Sequence, residues 1–189
     1  MKEREWMRLL RQSHEMARSL TERLEDEDVL AARKFYKDQL TNVLGGHLRA
    51  IEVSMLPAIQ RHGWKGVRSS VLTAHFDLKA ATARLVVSDP ASEQFDEVVD
   101  QLRRQLDRER HVEQTELVPA VQAALPAEEC RQLSIDVDLC LQRSVGELDT
   151  SAVAAPLSNA NPIEEARLIL SSIPEPGLDH QPSDSAAAA

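Results

Sequence analysis

Three histidines fall at positions where side chains that only pack are expected. In the segment GGHLRAIEVSMLPAI, from Gly45 to Ile59, His47 shares a three- and four-residue rhythm with Leu40, Val43, Leu44, Ile51 and Met55, so a helix turns all of them to one face. His14 follows Leu10 by four residues and precedes Ala17 by three. His75 stands in line with Val67, Val71, Leu78 and Leu85. A buried imidazole must either exchange hydrogen bonds inside the core or bind a metal through one ring nitrogen. Imidazole joined by carboxylate suits iron, manganese or zinc better than calcium or magnesium, which prefer oxygen shells. Neither cysteine lies in these stripes, so a soft thiolate site is not on offer.

A fourth apolar stripe, Phe95, Val98, Val99, Leu102 and Leu106, runs into the charged segment DRERHVEQTELVPAV and allows two registers. Extending the stripe turns Glu109, Glu113 and Glu116 inward and puts His111 about 200° round from Glu109, at about 100° per residue. Spacing suggests otherwise. His111 and Glu116 repeat the five-residue step from His47 to Glu52, and each pair is followed by a similar triplet, Pro57-Ala58-Ile59 and Pro119-Ala120-Val121. A proline inside a helix removes a hydrogen bond and clashes with the preceding turn, so each is expected to distort the backbone before it. Such a distortion would be needed to rotate His111 inward.

The elements that must position these side chains are helices. The first runs over about residues 3–25 and is interrupted by the acidic run Glu25 to Asp28; Asp28 is placed to cap a second helix that reaches about His62, where Gly63 supplies a stop. A third ends near Val87, before Asp89-Pro90. A fourth starts near Ser92 and ends near Leu125, and Pro126 opens a fifth, shorter helix over AEECRQLSIDVDLCLQRSV. Short links between long helices favour an all-α fold, an antiparallel up-down-up-down four-helix bundle with an extra short C-terminal helix and a flexible tail. Residues 1–147 form the bundle in this reading. Residues 148–189 form a tail rich in Pro, Ser and Ala, with a short helix at 162–172 signalled by Asn161, Pro162 and Glu164.

Composition narrows the partners. Aromatic residues make up 3% of the 189-residue chain against 42% hydrophobic, which favours helices packed by Leu, Val and Ala. A formal net charge of -9 argues against nucleic acid or an anionic membrane. No signal peptide or membrane span is evident, and Cys130 and Cys140, ten residues apart, would lie about 15 Å apart on one helix, too far to pair. A cytoplasmic protein with free thiols is expected.

The order of residues, one histidine, then a histidine with a glutamate and a proline, then a lone histidine, then a second histidine with a glutamate and a proline, resembles the hemerythrin-like (HHE cation-binding) family over roughly residues 5–145. The resemblance implies a bundle around a non-haem di-iron centre. Its ligands would be His14, His47, Glu52, His75, His111 and Glu116, with Glu52 and Glu116 bridging. It further implies a small gas or oxidant as ligand, namely oxygen, nitric oxide or peroxide, and work in gas binding, redox sensing or iron handling. A catalytic role is left open. The chain departs from the family pattern in two ways: Ile51 and Thr115 occupy the usual glutamate positions, four residues after each histidine, and Lys79 replaces a further third-helix histidine. The competing expectation is a metal-free bundle whose C-terminal tail binds a protein partner. In that case the histidines are core residues, the run Asp107 to Glu113 is a solvated charged face, and His62 complements a helix end.

Overall fold

The computed structural model describes residues 4–63 and 69–146, all of whose regular structure is helical. The tail from 148, its expected helix at 162–172 and His180 lie outside the described residues. The elements are α1 (Glu5–Glu25), α2 (Leu30–Arg49), a π-helical turn (Ala50–Met55), α3 (Leu56–Arg61), α4 (Ser69–Val87), α5 (Phe95–Val112), a second π-helical turn (Glu113–Leu117), α6 (Val118–Ala124) and α7 (Ala127–Gly146). None of the described helices is long and apolar enough to cross a membrane.

Helix ends follow local chemistry, with two differences from expectation. Gly63 takes a φ of 73°, the left-handed conformation that ends the α2–α3 run. Asp28 does not cap α2. Val29 is the N-cap, and its N–H is instead received by Glu27 Oε1 at 2.8 Å. The fifth expected helix, α7, is as long as α2 and packs against α1, α2 and the first π turn, so it belongs to the core. Cys130 and Cys140, both on α7, are buried free thiols.

The two π turns stand where the prolines require them. Each closes with a hydrogen bond spanning five residues, Leu56 N–H to Ile51 O and Val118 N–H to Glu113 O, one residue before Pro57 and Pro119 respectively. Widening the turn eases the clash of the proline ring with the carbonyl four residues back.

The buried apolar side chains form two clusters, and α1, α2, α4 and α5 pass from one to the other, α2 and α5 through the π turns that follow them. Trp6, Leu10, Ile51, Met55, Val71, Leu117, Val121 and the α7 residues Leu133 and Val137 make the first. Ala17, Leu24, Leu40, Leu44, Leu48, Leu78, Leu85, Phe95, Leu102 and Leu106 belong to the second. Between them lies a polar layer. On α1 the crossover is at Ser13 and His14, on α2 at His47, on α4 at His75, and from α5 into the second π turn at Glu109 and Glu113; all six are buried. Burying ionisable groups is costly unless they are paired or hold a metal, so this layer calls for a specific chemical account.

Candidate metal centre

His14, His47, Glu109 and Glu113 converge, with one donor atom from each lying within 4.8 Å of the others. Glu109 and Glu113 are four residues apart and so share a face, reached by continuing the stripe through Leu102 and Leu106. His14 Nε2 donates to Glu113 Oε2 at 2.9 Å and lies 3.3 Å from Glu109 Oε2. That second contact is not a hydrogen bond. One Nε2–H serves one acceptor, so Glu109 Oε2 is left buried without a donor. His47 Nε2 faces Glu109 Oε1 at 3.3 Å and Glu113 Oε2 at 3.5 Å, and the two imidazole rings meet edge to face at 4.5 Å between centroids.

Ser13 fixes the tautomer of His47. Its hydroxyl donates to Leu10 O at 2.7 Å, so the same oxygen, 2.9 Å from His47 Nδ1, accepts the Nδ1 proton. In a neutral ring Nε2 then presents its lone pair to the carboxylates, an arrangement that is repulsive unless a cation lies between them. Without a metal, a proton supplies that cation. Burial by itself lowers the His47 pKa, but the charge of Glu109 and its hydrogen bond, with the charge of Glu113, outweigh it and raise the value to about 9. Burial would raise the Glu109 carboxyl; the charge and hydrogen bond of His47, then the charges of His14 and His75, hold it below the usual range.

The spacing fits a metal. With bonds of about 2.0–2.2 Å from histidine and carboxylate, neighbouring donors sit about 3.4 Å apart around a tetrahedron and about 3.0 Å apart around an octahedron. The four nitrogen–oxygen separations in the cluster run from 2.9 to 3.5 Å. Glu109 Oε2, one of these atoms, receives no hydrogen bond and so is free to meet such an ion.

His75 and Glu52 form a second group beside this one. His75 Nε2 donates to Glu52 Oε1 at 3.1 Å, and Lys79 Nζ donates to the same oxygen at 2.7 Å. Lys79 is one turn beyond His75 on α4, so the two side chains leave the same face. Burial alone would raise the Glu52 pKa, but the hydrogen bonds from His75 and Lys79, with their charges, bring it down to about 2.

Two expected ligands lie elsewhere. His111 is exposed, and Glu116 is half-buried and accepts a hydrogen bond from Ser70. Pro119 acts on the carbonyl of Thr115, four residues back, and the distorted turn begins at Glu113. It therefore starts too late to rotate His111, and α5 keeps the register of its apolar stripe through Val112. Glu109 and Glu113, which the metal-free expectation placed on a solvated face, are buried. His62, expected at a helix end, contacts Glu129 of α7 at 3.1 Å. Ser13 was missed altogether, although Leu10, Ser13 and Ala17 keep the three- and four-residue rhythm that marks it as inward.

Comparison with protein-family models, curated proteins and solved structures gives no match for this chain.

Proposed function

We propose that the chain is a hemerythrin-like, non-haem iron protein of the cytoplasm, working in oxygen or nitric oxide binding, redox sensing or iron handling. One observation carries the reading: four buried nitrogen and oxygen donors from α1, α2 and the α5 region close to metal-ligand spacing, with the remaining nitrogen of His47 held by Ser13. The donor set of two imidazoles and two carboxylates suits iron among divalent first-row metals, with manganese and zinc as its chemical competitors. His14 and His47 would bind through Nε2, and Glu109 and Glu113 would neutralise the charge of a divalent ion. Iron held by these four residues would supply a redox-active centre able to bind a diatomic ligand. The two apolar clusters keep bulk water from either side of the layer, while Glu52 and Lys79, each about one third exposed, mark where solvent comes nearest.

The reading includes an up-down-up-down arrangement of the four helices that line the layer. It is supported by the order of the clusters: α1 and α4 run from the first to the second, and α2 and α5 run back. Contact of Lys37, early in α2, with the carbonyls of Val86 and Ser88 at the end of α4 supports the same direction. The buried free thiols of Cys130 and Cys140 fit a reducing compartment.

To test the functional reading, iron-loaded protein is reduced without oxygen and exposed to nitric oxide, then separately to oxygen, while its visible absorption is followed. New bands that are absent in Glu109→Ala are expected. An iron-loaded protein whose spectrum responds to neither gas would rule out gas binding.

A further inference from the structure

The resemblance implies two ions, but the residues beside the four-donor cluster are arranged differently. Resting on the proposed metal site, we infer that Lys79 is a resident cation that takes the place of a second metal, so that the chain holds a single ion.

Three observations carry this. First, the donors a second ion would need are already engaged. His75 Nε2 gives its proton to Glu52 Oε1, and that oxygen also receives Lys79 Nζ, so the nitrogen and the oxygen that meet there are both committed. Second, the charges close. Glu109 and Glu113 balance one divalent ion bound by neutral His14 and His47, and Glu52 is balanced by the Lys79 ammonium. A further divalent ion at Glu52 would meet that ammonium at contact distance in a partly buried setting, where like charges are poorly screened. Third, the expected alternative ligands are out of reach, since His111 is exposed and Glu116 is engaged by Ser70. Among the described residues, the group with metal-ligand spacing contains neither His75 nor Glu52.

Lys79 thus sets nuclearity through Glu52 without touching the bound ion. Removing its charge takes the resident cation away from Glu52 Oε1 and leaves that carboxylate able to meet a second ion.

The test is anaerobic titration of the full chain with cobalt(II), followed by its visible bands and by equilibrium dialysis. The wild type is compared with Lys79→Met, which keeps the apolar stem, and Lys79→Arg, which keeps the charge. Saturation is expected at one equivalent for the wild type and Lys79→Arg, and at two for Lys79→Met; Lys79→Gln replaces Lys79→Met if that variant loses its helical circular dichroism. Two equivalents in the wild type, or one in the charge-removed variant, would overturn the inference. Binding of no cobalt by any of the proteins would instead remove the metal site itself, and the inference with it.

Discussion

The four-donor cluster and the Glu52 group combine the same two residue types, histidine and glutamate, yet only one of them is complete in itself. At Glu52 every charge has a partner: two N–H donors converge on one carboxylate oxygen at the edge of the core. At His14, His47, Glu109 and Glu113 two carboxylates face two imidazoles with no lysine or arginine among them, and Glu109 Oε2 has no donor. The first is an ion pair. The second needs a cation, and its depth between two apolar clusters means that bulk water cannot supply the stabilisation instead.

That contrast breaks most visibly at the carboxylates. Glu109→Ala should destabilise the chelator-treated protein by about 3–5 kcal/mol, as expected when one partner of a buried charged pair is removed. Glu52→Ala, at a partly exposed pair, should cost about 1 kcal/mol or less. Urea unfolding of the two variants checks the difference, and equal costs would mean that the two groups are not distinct in kind.

Ser13→Ala tests the fixed tautomer. Loss of the acceptor for His47 Nδ1–H should weaken metal binding by about 10–100-fold, the usual effect of removing a partner that orients a ligand. Competition against a chromophoric chelator would measure this, and unchanged affinity would remove Ser13 from the site.

The pH dependence of the metal-free chain separates the groups again. The pKa of His47 is raised from 6.5 to about 9, so its contribution to stability is fully present below pH 6.5 and is lost as pH rises through 9. The pKa of Glu52 is lowered from 4.5 to about 2, so its contribution is present above pH 4.5 and is lost as pH falls towards 2. Metal-free protein should therefore have a lower urea midpoint at pH 9.5 than at pH 6. Metal replaces the His47 proton, so the loaded protein should show a smaller alkaline loss.

The smallest effect is expected at His111. Its ring is exposed and outside the cluster, so His111→Ala should leave metal content unchanged and move stability by no more than about 0.5 kcal/mol. Loss of metal in this variant would restore the register suggested by the His-to-Glu spacing.

The helices and the inward histidines were legible because burial imposes the 3.6-residue rhythm on the sequence. His14, His47 and His75 each interrupt such a rhythm, and each is buried. The fourth helix was ambiguous because two local signals disagreed there. The apolar stripe through Leu106 pointed to Glu109 and Glu113, while the paired proline motifs pointed to His111 and Glu116. The stripe describes α5 because a proline disturbs only the turn before it, and that turn begins at Glu113. The partnership of Ser13 with His47 depends on how α1 and α2 meet, which the spacing within either helix does not encode. The same is true of Lys79 and Glu52. The sequence places Lys79 one turn after His75, but its hydrogen bond to the carboxylate appears only when α4 is set against the first π turn.

The most direct measurement is elemental analysis of the full chain, expressed with iron present and purified without chelator, beside Glu109→Ala prepared in the same way. About one iron per wild-type chain, falling to background in the variant, is the expected result. A folded wild type with no metal, or a variant that retains as much iron as the wild type, would contradict a metal centre at His14, His47, Glu109 and Glu113.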